Sequence, residues 1–106
     1  MYELNVELCK GRHDTPATDG AIFENDITEF IADPEGLQEI AVNRIEALTA
    51  ESGVFDVQMN IFVTGLSVAL VAAIQACYYL SLPVILWHFD RESNGYYPQP
   101  LVYSKK

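Results

Sequence analysis

NIFVTGLSVALVAAIQACYYLSLPVILWHFDRES, residues Asn60 to Ser93, is the stretch on which the fold turns. No Asp, Glu, Lys or Arg occurs from Ile61 to Trp87, a run long enough to cross a bilayer if it were one helix. It is not patterned as one helix. Thr64-Gly65 and Ser81-Leu82-Pro83 divide it into lengths that suit a strand, a helix and a second strand. The flanks also lack the Lys/Arg asymmetry that orients a membrane span. The expectation is therefore a buried strand-helix-strand unit, right-handed by the usual rule for parallel crossovers.

Working outward, Val54 to Val63 is β-rich and apolar toward its end, and Val84 to Phe89 reads as the second buried strand. Asn94-Gly95 signals a type I′ hairpin, with Tyr96 to Tyr103 as the returning strand. Between the first two strands, Leu66 to Leu80 carries no charge, and Ala69, Ala72, Ala73 and Ala76 let a neighbouring backbone approach closely. A helix apolar all round must be covered all round. One small sheet covers one side, which leaves Val68, Val71 and Tyr79 in need of a partner. A homodimer or higher homo-oligomer through Leu66–Leu80 is expected.

The N-terminal half supplies the rest. Tyr2, Leu4, Val6 and Leu8 alternate with Glu3, Asn5 and Glu7, a period-two strand with one wet face. Such a pattern is more typical of an edge or antiparallel strand than of a central parallel one. KGRHDTPATDGAIF, residues 10–23, reads as a loop. Asp33-Pro34-Glu35 then gives an N-cap, a first-turn proline and a first-turn acid. Leu37, Ile40, Ala41, Ile45 and Leu48 form the buried stripe of a helix ending near Glu51 to Gly53. The fold class expected is α/β: a small Rossmann-like sheet with two helices and a C-terminal β-hairpin, one domain over residues 1–106.

Composition narrows the function. A net charge of -9 with only 6 Lys and Arg argues against long nucleic acid as a partner, since phosphate neutralisation needs clustered cations. The 2 cysteines, Cys9 and Cys77, make neither a disulfide framework nor a metal motif, and both read as small core residues. No secretory signal pattern precedes the first strand, so a cytoplasmic, reducing location is expected, without membrane attachment.

Three segments concentrate the polar chemistry. Thr64, Gly65 and Ser67 sit where a strand feeds a helix N-terminus, whose free N–H groups favour an anion. His88, Asp90 and Arg91 end the next strand. Lys10, Gly11, Arg12, His13, Asp14 and Thr15 end the first. If the first strand is parallel to the other two, all three segments meet at one carboxyl edge, where open α/β sheets bind ligands. There Lys10, Arg12 and Arg91 would hold phosphates, and His13, with Asp14 and His88, would serve in proton transfer, or the histidines would simply hydrogen-bond a base or ribose. Tyr96 and Tyr97, or Trp87, offer rings for a base. Caps, local ion pairs and solvated loops are the plainer account of each segment taken singly. His13, Asp14, His88 and Asp90 have no spacing that fixes a metal geometry, so no metal and no cofactor is expected.

NIFVTG, LSVALVAAIQACYYL and PVILWHFDR together resemble the core of CRISPR-associated Rossmann-fold (CARF) domains and the small ring nucleases related to them. The shared pattern is an apolar strand, Thr-Gly, an alanine-rich helix and a strand ending in Asp, about a third of the chain. The Lys or Arg often found early in that helix is missing here, and GRHDTP matches no motif of the family. The resemblance implies a homodimer that binds cyclic oligoadenylate, with Thr64, Gly65 and Ser67 at the ligand and Lys10 to Thr15 on its other side. It also implies metal-independent phosphodiester cleavage if the chain is an enzyme. The expected role is to sequester or degrade a cyclic nucleotide messenger and so switch off, or in a phage counter, antiviral defence. The rival from another class is a homo-oligomeric protein–protein interaction module with no nucleotide ligand.

Overall fold

The computed structural model describes residues 1–11, 14–24, 33–64 and 67–101. Their elements run β1 (Tyr2–Cys9), β2 (Ala21–Phe23), α1 (Pro34–Ser52), β3 (Val57–Phe62), α2 (Ser67–Tyr79), β4 (Val84–Asp90) and β5 (Gly95–Leu101). The strands make one mixed sheet in the order β2-β1-β3-β4-β5. The first four are mutually parallel, and β5 returns antiparallel to β4. The chain is thus an α/β protein with a five-stranded mixed sheet.

The capping residues act as their types dictate. Asp33 accepts the N–H of Gly36 at 3.1 Å, Pro34 begins α1, and Gly53 ends it in the left-handed conformation at φ 69°. Leu37, Ala41, Ile45 and Leu48 are buried, with Ile40 half-buried beside them. In α2 the alanines and Cys77 are the buried face. Small side chains let α2 lie close to α1 and the sheet, and the two helices pack side by side. Leu4, Val6 and Leu8, Val57, Met59 and Ile61, and Val84 and Leu86 meet them in a single core. No described helix lies on the other face of the sheet.

That layout corrects the reading of β1. Its polar alternation suggested an edge or antiparallel strand, yet β1 lies between β2 and β3 and is parallel to both. Glu3, Asn5 and Glu7 are polar because no helix among the described residues lies over their face of the sheet, not because the strand lacks a neighbour.

Two further differences are local. The stretch read as loop contains β2, too short to show a period. Arg44 of α1 anchors it, donating from Nε to the Ala21 carbonyl at 2.9 Å and pairing through Nη2 with Glu24 at 2.9 Å. The hairpin is longer than the two-residue type I′ turn expected at Asn94-Gly95. Asp90 pairs with Gly95, so Arg91 to Asn94 form the connection, and Asn94 alone takes a positive φ, 56°. Pro98 and Pro100 sit on β5, the outermost strand, opposite Trp87 and Ile85. The ladder to β4 survives them, so their nitrogens face outward and deprive that edge of two donors.

No helix among the described residues is long and apolar enough to cross a membrane.

Candidate functional site

The parallel register brings the ends of β1, β3 and β4 to one edge. Glu7 pairs with Phe62 and Phe62 with Trp87, and the Val63 N–H continues the ladder to the Trp87 carbonyl at 3.0 Å. Lys10, Gly11, Thr64, Asp90 and Arg91 therefore belong to the same carboxyl edge. Arg12, His13 and Gly65 lie outside the described residues, as does Leu66.

Thr64 is the clasp of this edge. Its hydroxyl donates to the Cys9 carbonyl and accepts the Cys9 N–H, both at 3.1 Å, and the residue is 1% exposed. A hydroxyl expected at the ligand is instead committed to the backbone of β1. It positions the edge rather than lining it. Ser67, by contrast, is exposed at the start of α2.

Glu7 organises the segment that follows β1. One carboxylate oxygen accepts the Gly11 N–H at 3.2 Å and the other accepts the Thr15 hydroxyl at 3.0 Å. Gly11 sits at φ 77°, a conformation open to glycine, and a Cβ there would meet nothing within 4 Å. The chain then doubles back along β1, where Thr18 and Asp19 donate their N–H groups to the Asn5 carbonyl. Glu7 carried no signal in the sequence beyond its place in an alternating strand. Its hub role depends on a loop that returns to it.

The cations remain available. Lys10 and Arg91 are exposed and form no ion pair among the described residues. Asp14 is exposed, while the Asp90 carboxylate turns back toward the Glu92 N–H at 3.4 Å within the hairpin connection. His88 points to the helix side of β4. Its Nε2 lies 2.6 Å from Gln99 Oε1 and its ring stands 5.4 Å from that of Tyr97. One ring nitrogen is thus engaged with β5.

Tyr96 lies on the opposite face. Its ring meets Phe62 edge-on at 5.2 Å, and burial first, then the Glu7 carboxylate, push its hydroxyl above the usual tyrosine pKa. At neutral pH it is a hydrogen-bond donor. Trp87 is stacked on Phe62 at 5.9 Å. Of the three aromatics suggested for a base, Tyr96 and Trp87 therefore face away from His88, and Tyr97 lies beside it.

No group of three or more His, Cys, Asp or Glu among the described residues is arranged to hold a metal ion. Concave surfaces among the described residues lie between the outer face of α1 and Tyr79, near Phe55 and Leu82, and around Tyr78 and Pro83. No protein-family profile, curated protein or solved structure matches the chain.

Proposed function

We propose that this chain is a CARF-like, Rossmann-like domain that binds cyclic oligoadenylate or a related cyclic nucleotide messenger at the carboxyl edge of its sheet. The observation that carries the reading is the common parallel direction of β1, β3 and β4, with Lys10 and Arg91 exposed at that shared edge. In the proposal these cations, with Arg12, hold phosphates, and the first N–H groups of α2 near Gly65 and Ser67 receive another. Gly11, Thr15 and Asp90 line the approach, Thr64 fixes the spacing, and Tyr96 offers a ring. His13, Asp14 and His88 are the groups for metal-independent phosphodiester cleavage if the messenger is degraded rather than held. The cellular role that follows is to end, or for a phage to counter, a CRISPR-type defence signal.

Assembly through α2 belongs to the same proposal. Val71, Tyr78 and Tyr79 are 53%, 64% and 72% exposed on a helix without charge, while Val68 is half-buried. Thermal-shift and chromatographic assays with cyclic tri-, tetra- and hexa-adenylate and cyclic ADP-ribose isomers test the reading. Intact ligand released by heat denaturation marks sequestration, and linear or smaller products mark cleavage. No thermal shift with any of them refutes it.

The same exposed residues of α2 favour the second reading, an interaction module. It requires Val71→Glu to abolish function while Arg12→Ala and Arg91→Ala leave it intact.

A further inference from the structure

Parallel sheets are ordinarily covered on both faces. Here the face opposite the helices presents two kinds of surface side by side. On β1 and β3 it is polar: Asn60, 2% exposed, donates to Glu3 Oε1 at 3.0 Å and Asn5 Oδ1 at 2.9 Å and accepts from Gln58 Nε2 at 3.1 Å. On β3, β4 and β5 it is aromatic. Phe62 stacks on Trp87, Tyr96 stands edge-on to Phe62, and Phe89 packs on Tyr96 at 5.4 Å while 48% exposed.

Two observations constrain what covers this face. Its carboxylates, Glu3 and Glu7, have no Lys, Arg or His beside them at any described position of the face. Pro98 and Pro100 deny the β5 edge two donors, so a partner cannot simply add a strand there.

We infer that the uncovered face docks an arginine-bearing segment of another protein chain. A guanidinium satisfies carboxylates through paired N–H bonds and lies flat on aromatic rings, so one side-chain type suits both halves of the surface. A second copy of this chain brings Glu3 and Glu7 again, with no cation at any described position of the same face, in a protein of net charge -9. A nucleotide brings phosphates toward the same carboxylates. The docking face adjoins the carboxyl-edge site and shares Tyr96 with it, but the cations of that site, Lys10 and Arg91, are no part of the face.

Trp87 is the single tryptophan, so its fluorescence reports the face directly. The probes are nona-arginine, nona-lysine and nona-glutamate, titrated at physiological ionic strength. Nona-arginine is expected to shift Trp87 emission saturably and to bind several-fold tighter than nona-lysine, with no response to nona-glutamate. Phe89→Ala, a change at an exposed ring, and the double change Glu3→Gln/Glu7→Gln should each weaken nona-arginine about tenfold, or about 1.4 kcal/mol. The double change Glu39→Gln/Glu46→Gln on the outer face of α1 alters net charge equally and should leave binding unchanged. Equal weakening by the two double variants would mean attraction to bulk charge and would overturn the inference. So would no emission change with nona-arginine, or sedimentation of a dimer that Phe89→Glu converts to monomer.

Discussion

Asn60→Asp exchanges an amide for an isosteric carboxylate at the centre of the uncovered sheet face, and its cost follows from the contacts. The Asn60 amide nitrogen makes two hydrogen bonds, one to the Glu3 carboxylate at 3.0 Å and one to the Asn5 side-chain oxygen at 2.9 Å. The first, to a charged acceptor, is worth about 1.5–3 kcal/mol and the second about 0.5–1.5 kcal/mol. The substitution removes both donors and sets a second carboxylate against Glu3. At that separation the repulsion is above about 1 kcal/mol even with the screening of bulk water. Side-chain relaxation relieves part of it, because Glu3 is exposed. A loss of about 3–5 kcal/mol at pH 7 is expected, a large share of the ~5–15 kcal/mol typical of a domain. Urea unfolding followed by Trp87 fluorescence measures it. The sign of the pH dependence is fixed as well. The introduced carboxyl has its folded pKa raised, by burial and by Glu3, above the unfolded value of about 3.9. Its penalty is therefore absent below the unfolded pKa and grows as pH rises through the folded one. The gap from the parent protein should narrow on going from pH 7 toward pH 4. A variant as stable as the parent at pH 7, or a gap that does not change with pH, would refute the reasoning.

Thr64→Val keeps the shape of the side chain but removes both bonds to Cys9, and should cost about 1–3 kcal/mol in urea unfolding; Thr64→Ser, which keeps the hydroxyl, should cost about 1 kcal/mol for the lost methyl. A valine variant more stable than the serine variant would deny Thr64 its clasping role. Burial pushes the Cys77 thiol up to about 12, so iodoacetamide at pH 8 should leave it unmodified in the native protein and alkylate it in denaturant, read by mass spectrometry. Tyr96 should ionise above the ordinary tyrosine range in a spectrophotometric titration, and Glu7→Gln should remove part of that shift. The stability linked to this raised pKa is fully present below the unfolded pKa near 10 and is lost as pH rises through the folded value.

The elements that could be read from the sequence are those with a local cause. Asp33-Pro34 and Gly53 bound α1 directly, and Pro83 follows the end of α2 at Tyr79 by one short turn, because caps and prolines act on their own neighbours. The buried strands β3 and β4 showed as apolar runs between breakers. β2 did not show, because three residues hold no period and its place is fixed by Arg44, far along the chain. The hairpin signal at Asn94-Gly95 was located correctly but assigned the wrong loop length: the positive φ at Asn94 is local, whereas the pairing of Asp90 with Gly95 depends on register along all of β5. At the site, the convergence of three carboxyl ends followed from a conditional that the sheet order satisfies. The engagement of Thr64 with Cys9 and the hub formed by Glu7 depend on contacts between strands that no single segment encodes.

One connection accounts for both the misread strand and the uncovered face. The step from β2 to β3 passes over β1 in the same direction across the sheet as the step from β3 to β4. Right-handed crossovers made in one direction place their helices on one face, so α1 and α2 lie side by side. The step from β1 to β2 runs the opposite way, and a helix in it would have covered the other face, as in doubly wound sheets. Residues 10–20 leave no room for one. They turn at Gly11 on the Glu7 carboxylate, double back beside Asn5 and re-enter the sheet at Ala21. With that helix absent, alternate positions of β1 and β3 stay polar, which is why β1 looks like an edge strand while lying inside the sheet. The aromatic side chains of β4 and β5 on the same face then have nothing of comparable chemistry in the described chain to pack against except one another.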